Sequence, residues 1–144
     1  MVLASREFKL PGYESVFSLD KPILPKSNFY WREALWCGSA GRIIIPFSKG
    51  VVENILSLAG ALQVARLKIG LPFIVTSWYR PEPWNANVGG VPNSSHTTGR
   101  GLDFWIPGLT VTEMASQLSW WEGGLGAYPS DGHIHLDIDN HRRW

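Results

Sequence analysis

Between Ser48 and Lys68 the chain sets Val51, Val52, Ile55, Leu58, Ala59, Leu62 and Ala65 at helical spacing, and Gly70-Leu71-Pro72 ends the run. This is the one long amphipathic helix that the pattern supports, and its apolar face must be buried against shorter elements. Breakers explain why the rest is short: 15 Gly and 10 Pro in 144 residues make 25, above the ~12% of an average chain. Phe73 to Tyr79 is rich in β-branched and aromatic residues and runs into Arg80-Pro81, which reads as a core strand ending at a turn. Residues 101–106, 124–128 and 132–138 read as three further short strands. Thr110-Val111-Thr112-Glu113 has capping-box spacing and opens a helix to about Trp120. This order predicts an α+β domain, a small antiparallel sheet with helices packed on it. A chain of this length suits a single core.

The flanks are less regular. A short helix is expected from Asn28 to about Gly38, capped by Ser27 or Asn28, with its aromatics folded down as a lid. One helical turn is expected over Pro83 to Asn87. Residues 1–27 show neither helical nor strand period and carry Pro11, Gly12, Pro22 and Pro25. They are read as an irregular N-terminal arm lying on a domain formed by residues 28–144.

Charge excludes some function classes. Thirteen Lys and Arg against twelve Asp and Glu leave a net charge of +1, too little to hold a nucleic acid by its phosphates. The balance is uneven along the chain. From Ile69 onward there are four basic and seven acidic side chains, net −3, and this half holds all four histidines. An acidic, histidine-bearing half suits a cation. Cys37 is alone, so it forms no internal disulfide and reads as a small buried hydrophobe. No apolar run approaches the ~18 residues of a membrane span, and the start lacks the pattern of a secretory leader. A monomer is expected, exported or released by something outside this sequence.

Two clusters carry the chemistry: Ser94 to Asp103, and Asp131-Gly132-His133-Ile134-His135-Leu136-Asp137. Strand alternation puts His133, His135 and Asp137 on one face and Ile134 and Leu136 on the other. A packing strand has little reason to align two histidines and a carboxylate, whereas a metal or catalytic site does. Asp103 lies among Leu102, Phe104 and Trp105, where an unpaired carboxylate would be costly. A divalent cation shared with His96 would offset that cost. Imidazole and carboxylate donors without a nearby cysteine favour zinc in an open, three-ligand catalytic site. The set is His96, Asp103 and one of the C-terminal histidines. The competing reading is an ordinary polar loop followed by a solvated strand.

Taken together, Ser77-Trp78-Tyr79-Arg80-Pro81, Asn85 to Gly90, Ser94-x-His96-x-x-Gly99-x-Gly101-x-Asp103, Gly123-Gly124-Leu125-Gly126 and His133-Ile134-His135-Leu136-Asp137 resemble, in order, the zinc D-Ala-D-Ala carboxypeptidases. That family groups VanX- and VanY-like peptidases, phage endolysin peptidases and the hedgehog signalling domain. The resemblance spans roughly Asn28 to Trp144 and implies a hedgehog/DD-peptidase-like fold. It implies one zinc per chain held by His96, Asp103 and His135, with Arg80 facing the substrate. It also implies that His133 stands beside the attacking water rather than on the metal. One departure concerns the proton: many relatives carry an acid three residues before the last ligand, and here that position is Gly132. Asp131 and Asp137 are the nearest carboxylates, so His133, then Asp131, are the expected proton-handling residues, and Asp137 an orienting partner.

The function expected is zinc-dependent hydrolysis of a peptide bond in peptidoglycan stem peptides, by a D-Ala-D-Ala carboxypeptidase or an endolysin-type endopeptidase. Two rivals stand beside it: a zinc-binding, hedgehog-like module without turnover, and a cell-wall-binding module working through its tryptophans. Individual residues also have plainer readings. Arg80 could pair with a surface carboxylate. Ser94 could bind substrate or shape its turn. Trp84, Trp120 and Trp121 could line a cleft or fill the core, and His141, Arg142 and Arg143 read as a solvated tail.

Overall fold

The computed structural model describes residues 6–144, so the first five residues of the expected arm lie outside the described residues. Helix α2 (Lys49–Ile69) forms where the period requires it, and all seven of its predicted core residues are at most 3% exposed. Ser48 caps it by accepting from the Val51 amide, and Gly70 ends it in the left-handed conformation at φ 76°. Burying each of its large aliphatic side chains contributes roughly 1.5–3 kcal/mol, so the element is held by packing more than by helical propensity.

Against this helix lies a five-stranded sheet made of β5 (Ile74–Ser77), β6 (Gly101–Trp105), β7 (Gly124–Tyr128), β8 (His133–Asp137) and β9 (Arg142–Arg143), in the order β5-β6-β8-β7-β9. The first four pair antiparallel, as expected of an α+β domain. The last departs from the expectation twice. Arg142 and Arg143 are not a free tail: they pair with Gly124 and Leu125, and they do so in parallel. The alternation read in β6 and β8 is present. Leu102, Phe104, Ile134 and Leu136 are fully buried on one face, while Asp103, His133, His135 and Asp137 occupy the other.

Helix α4 (Val111–Gln117) starts at the Thr110 capping box, and α3 (Trp84–Asn87) is the single turn expected there. The aromatic segment after Ser27 is reorganised. Only Trp31–Leu35 is helical (α1), with Tyr30 as its cap, and Phe29 and Trp31 are buried in the core rather than forming a lid. Helix α1 is followed by a two-residue hairpin, β3 (Trp36–Cys37) with β4 (Arg42–Ile43). Nearer the start, β1 (Glu7–Lys9) and β2 (Val16–Ser18) also pair antiparallel, where an irregular course was read. Phe8, Leu10, Leu19 and Ile23 around this hairpin join the same core. No helix among the described residues is long and apolar enough to cross a membrane.

Candidate metal centre

Asp103 and His135 are directly opposed in the β6–β8 ladder, and cross-strand partners on one face bring their side chains into contact. His96 arrives from another direction. It sits in a 3-10 turn, Ser95–Thr98, whose N-cap Ser94 accepts from the His96 amide through its hydroxyl. The turn is bound to the end of β5 by the Arg80 amide, which donates to the His96 carbonyl.

Proton bookkeeping in this cluster decides what it can hold. His96 Nδ1 is 2.8 Å from the Trp78 carbonyl, which can only accept, so Nδ1 carries the hydrogen and Nε2 presents a lone pair. That lone pair faces Asp103 Oδ1 at 3.2 Å. His135 Nε2 is 2.9 Å from Asp137 Oδ2, again an acceptor, so its Nδ1 lone pair faces the same Asp103 oxygen at 3.0 Å. Two imidazole lone pairs and a carboxylate thus converge with no hydrogen of their own to share. Only a proton or a cation satisfies such a meeting.

The three residues each offer a ligand atom within 4.8 Å of the others. Tetrahedral zinc with bonds of ~2.0–2.1 Å has ligand atoms roughly 3.3 Å apart, close to the 3.2 and 3.0 Å that separate Asp103 Oδ1 from the His96 and His135 nitrogens. The donor set is two imidazoles and one carboxylate, and Asp137 supplies the hydrogen-bond partner that usually stands behind a metal-bound histidine. The residues therefore fit a divalent cation of the zinc type.

Their electrostatics agree. Burial would raise the Asp103 carboxyl, but once protons occupy the meeting the hydrogen bonds and charge of His135 and His96 outweigh burial and hold the group well below the usual carboxylate range. Burial would lower His135, yet its bonds to Asp103 and Asp137 push it up to about 8. Asp137, fully buried, is likewise held low because His135 and the Gly124 and Asp139 amides outweigh its desolvation.

The cluster lies on the floor of an open cleft of about 700 Å³ that is also lined by Arg80, Ser94, Asp131, His133 and Trp144. Each residue singled out from the sequence can now be located. His133 stands at the cleft-facing edge of the cluster, its Nε2 3.9 Å from Asp103 Oδ2, outside the three-residue group. Arg80 makes no salt bridge among the described residues. Its Nε donates to Asn85 Oδ1 at 3.2 Å and its Nη1 to Ser77 Oγ at 3.3 Å, which fixes the guanidinium at the cleft wall. Asp131 is exposed in the turn between β7 and β8. Gly132, in the same turn, has φ 76°, a left-handed backbone where any acid would be strained. Trp121 is core, Trp84 packs on the core, and Trp120 lies under Lys68 rather than in the cleft. Residues given no role in the sequence also enter: Asn85, quoted only as part of a motif, which orients Arg80, and the cleft aromatics Tyr128 and Trp144. A buried asparagine five residues after an arginine was a weak sign; the two aromatics gave none.

A chain with this sheet, this ligand turn and this cleft belongs to the Peptidase M15 family, which matches residues 43–137. It is similar to the peptidoglycan L,D-endopeptidase MepK of Escherichia coli strain K12, with 29% identity over 101 residues, 66% of this chain and 53% of that protein. The figures are the same for MepK of Shigella flexneri. The probable peptidoglycan L,D-endopeptidase MepK of Haemophilus influenzae is 37% identical over 57 residues, 39% of this chain and 31% of that protein. The chain thus spans about half the length of the Escherichia and Shigella relatives. No solved structure gives a significant match. The resemblance read from the motifs, and with it the fold class, is borne out.

Proposed function

We propose that this chain is a zinc-dependent peptidase that hydrolyses a peptide bond in peptidoglycan stem peptides, with His96, Asp103 and His135 as the metal ligands. The observation that carries this reading is the convergence of the two histidine lone pairs on the Asp103 carboxylate at the floor of an open cleft. Of the two expected activities, endopeptidase is favoured, because the relatives are named as peptidoglycan L,D-endopeptidases.

When bound, zinc supplies Lewis-acid polarisation of a carbonyl and acidification of water. The remaining chemistry belongs to the chain. His133, at the cleft-facing side of the cluster, takes a proton from the attacking water and returns it to the leaving amine. Asp131 is the second candidate for that duty. Arg80, held by Asn85 and Ser77, presents its remaining N–H groups to a substrate carboxylate or to the oxyanion as charge develops. Ser94 lines the cleft; its oxygen accepts from the His96 amide and so shapes the ligand turn, and its O–H remains free to donate to a substrate group.

Mass spectrometry of muropeptides incubated with the zinc-loaded protein tests the reading. Metal-dependent release of fragments cut within the stem peptide or its cross-link is expected, and their masses identify the bond. Unchanged muropeptides in the presence of a zinc-loaded, folded protein would instead mark a binding module without turnover.

A further inference from the structure

The segment after β8 lies beyond the residues matched by the family, yet it closes one side of the cleft. Its backbone is locked to β7 by the Trp144 amide donating to the Leu125 carbonyl at 3.2 Å and the Ala127 amide donating to the Trp144 carbonyl at 2.8 Å. Arg143 anchors it further, Nη1 donating to the Gly123 carbonyl at 2.6 Å and Nη2 to the Trp121 carbonyl. The Trp144 indole then packs against Gly126, where a Cβ would collide with the ring. Gly126 is also the cross-strand partner of His135, and the absent side chain lets the indole come within 5.5 Å of the His135 ring, centroid to centroid.

From this seat two contacts reach the two histidines of β8. Trp144 Nε1 donates to the Tyr128 hydroxyl at 2.6 Å, and the Tyr128 ring stacks on its cross-strand partner His133 at 4.9 Å with the planes 24° apart. On the other side Arg142 Nη2 donates to Asp137 Oδ2 at 2.9 Å, the same oxygen that holds His135 Nε2. The Arg142 guanidinium lies over the Trp144 ring at 4.8 Å and joins the two arms. We infer that this C-terminal strand is a brace for the site, with Trp144 positioning His133 through Tyr128 and Arg142 positioning His135 through Asp137. The inference rests on the proposed function only for the consequence to turnover; the orientation of the rings stands without it.

Imidazole resonances of the four histidines, followed by NMR in Tyr128→Phe, Trp144→Phe and Gly126→Ala, test the first arm. Tyr128→Phe keeps the stack and removes the hydroxyl, Trp144→Phe removes the N–H donor, and Gly126→Ala unseats the indole without changing it. All three are expected to shift and broaden the His133 ring signals. On the identified substrate, kcat should fall roughly 3- to 10-fold in Tyr128→Phe and Trp144→Phe with little change in KM, the scale of one hydrogen bond. For the second arm, Arg142→Gln should lose zinc to a competing chelator several-fold more readily than the parent. His133 signals identical to the parent's in all three variants, or unaltered zinc retention in Arg142→Gln, would overturn the corresponding arm. Changed His133 signals with unchanged kcat would leave the brace standing and remove His133 from the proposed proton transfer.

Discussion

Asp103 is the residue on which the site depends, because both histidine lone pairs are aimed at one of its oxygens. Its neighbours divide into those that complete this meeting and those that use it. Asp137 belongs to the first kind: by fixing the hydrogen on His135 Nε2 it turns the other nitrogen toward Asp103. Asp137→Asn should therefore weaken zinc binding by roughly 10- to 100-fold, the usual effect of removing the partner behind a metal-bound histidine. Chelator competition measures it, and unchanged affinity would deny Asp137 that role. His133 is proposed to belong to the second kind. His133→Ala should keep its zinc and lose roughly 10²-fold or more in turnover, as for a positioned acid–base group; loss of metal would make His133 a ligand, and full activity would pass the proton to Asp131. Arg80→Ala should fold and melt somewhat below the parent, because its Nε is the donor to the buried Asn85 Oδ1 that the substitution leaves unpaired. Its kcat/KM should fall roughly 10- to 150-fold if a substrate carboxylate is lost as a partner, a cost of ~1.5–3 kcal/mol.

At the scale of elements, the helix ends are the simplest case. Ser48→Ala removes the acceptor for the Val51 amide and should destabilise the domain by ~1 kcal/mol in a denaturant titration, without altering zinc stoichiometry. The parts of the fold that could be read in advance are those whose physics is local. Helix α2 shows its period, its serine cap and its glycine stop within its own residues, and β8 shows by alternation which side chains share a face. That is also why His133, His135 and Asp137 could be placed on one face, whereas the choice of His135 over His133 as the ligand comes from the resemblance. What could not be read depends on a distant partner. Strands β1, β2, β3 and β4 are two or three residues long and carry too few positions to display a period. Strand β9 looks like a charged tail until Gly124 and Leu125 are seen beside it, and Trp144 acquires a role only because Gly126, eighteen positions earlier, leaves room for its indole.

For the whole molecule, the site links metal, proton and stability. In the metal-free protein the His135 value is raised from about 6.5 to about 8, so its contribution is fully present below pH ~6.5 and is lost as pH rises through about 8. Asp103 is held below its ordinary value, so its contribution is present above pH ~4 and is lost as pH falls further. The metal-free protein should therefore weaken between pH 6.5 and 8.5, while zinc held at the proposed site would compete with the His135 proton and should bind more tightly over the same range. The gap in melting temperature between zinc-loaded and chelator-treated protein should widen from pH 6 to pH 8.5, and a constant gap would show that the His135 proton and the metal do not compete. The central claim is the metal centre itself, and elemental analysis after dialysis tests it most directly. One zinc per chain is predicted for the parent and none for the His96→Ala plus His135→Ala double variant, whereas full zinc occupancy in that folded variant would contradict the assignment of His96, Asp103 and His135.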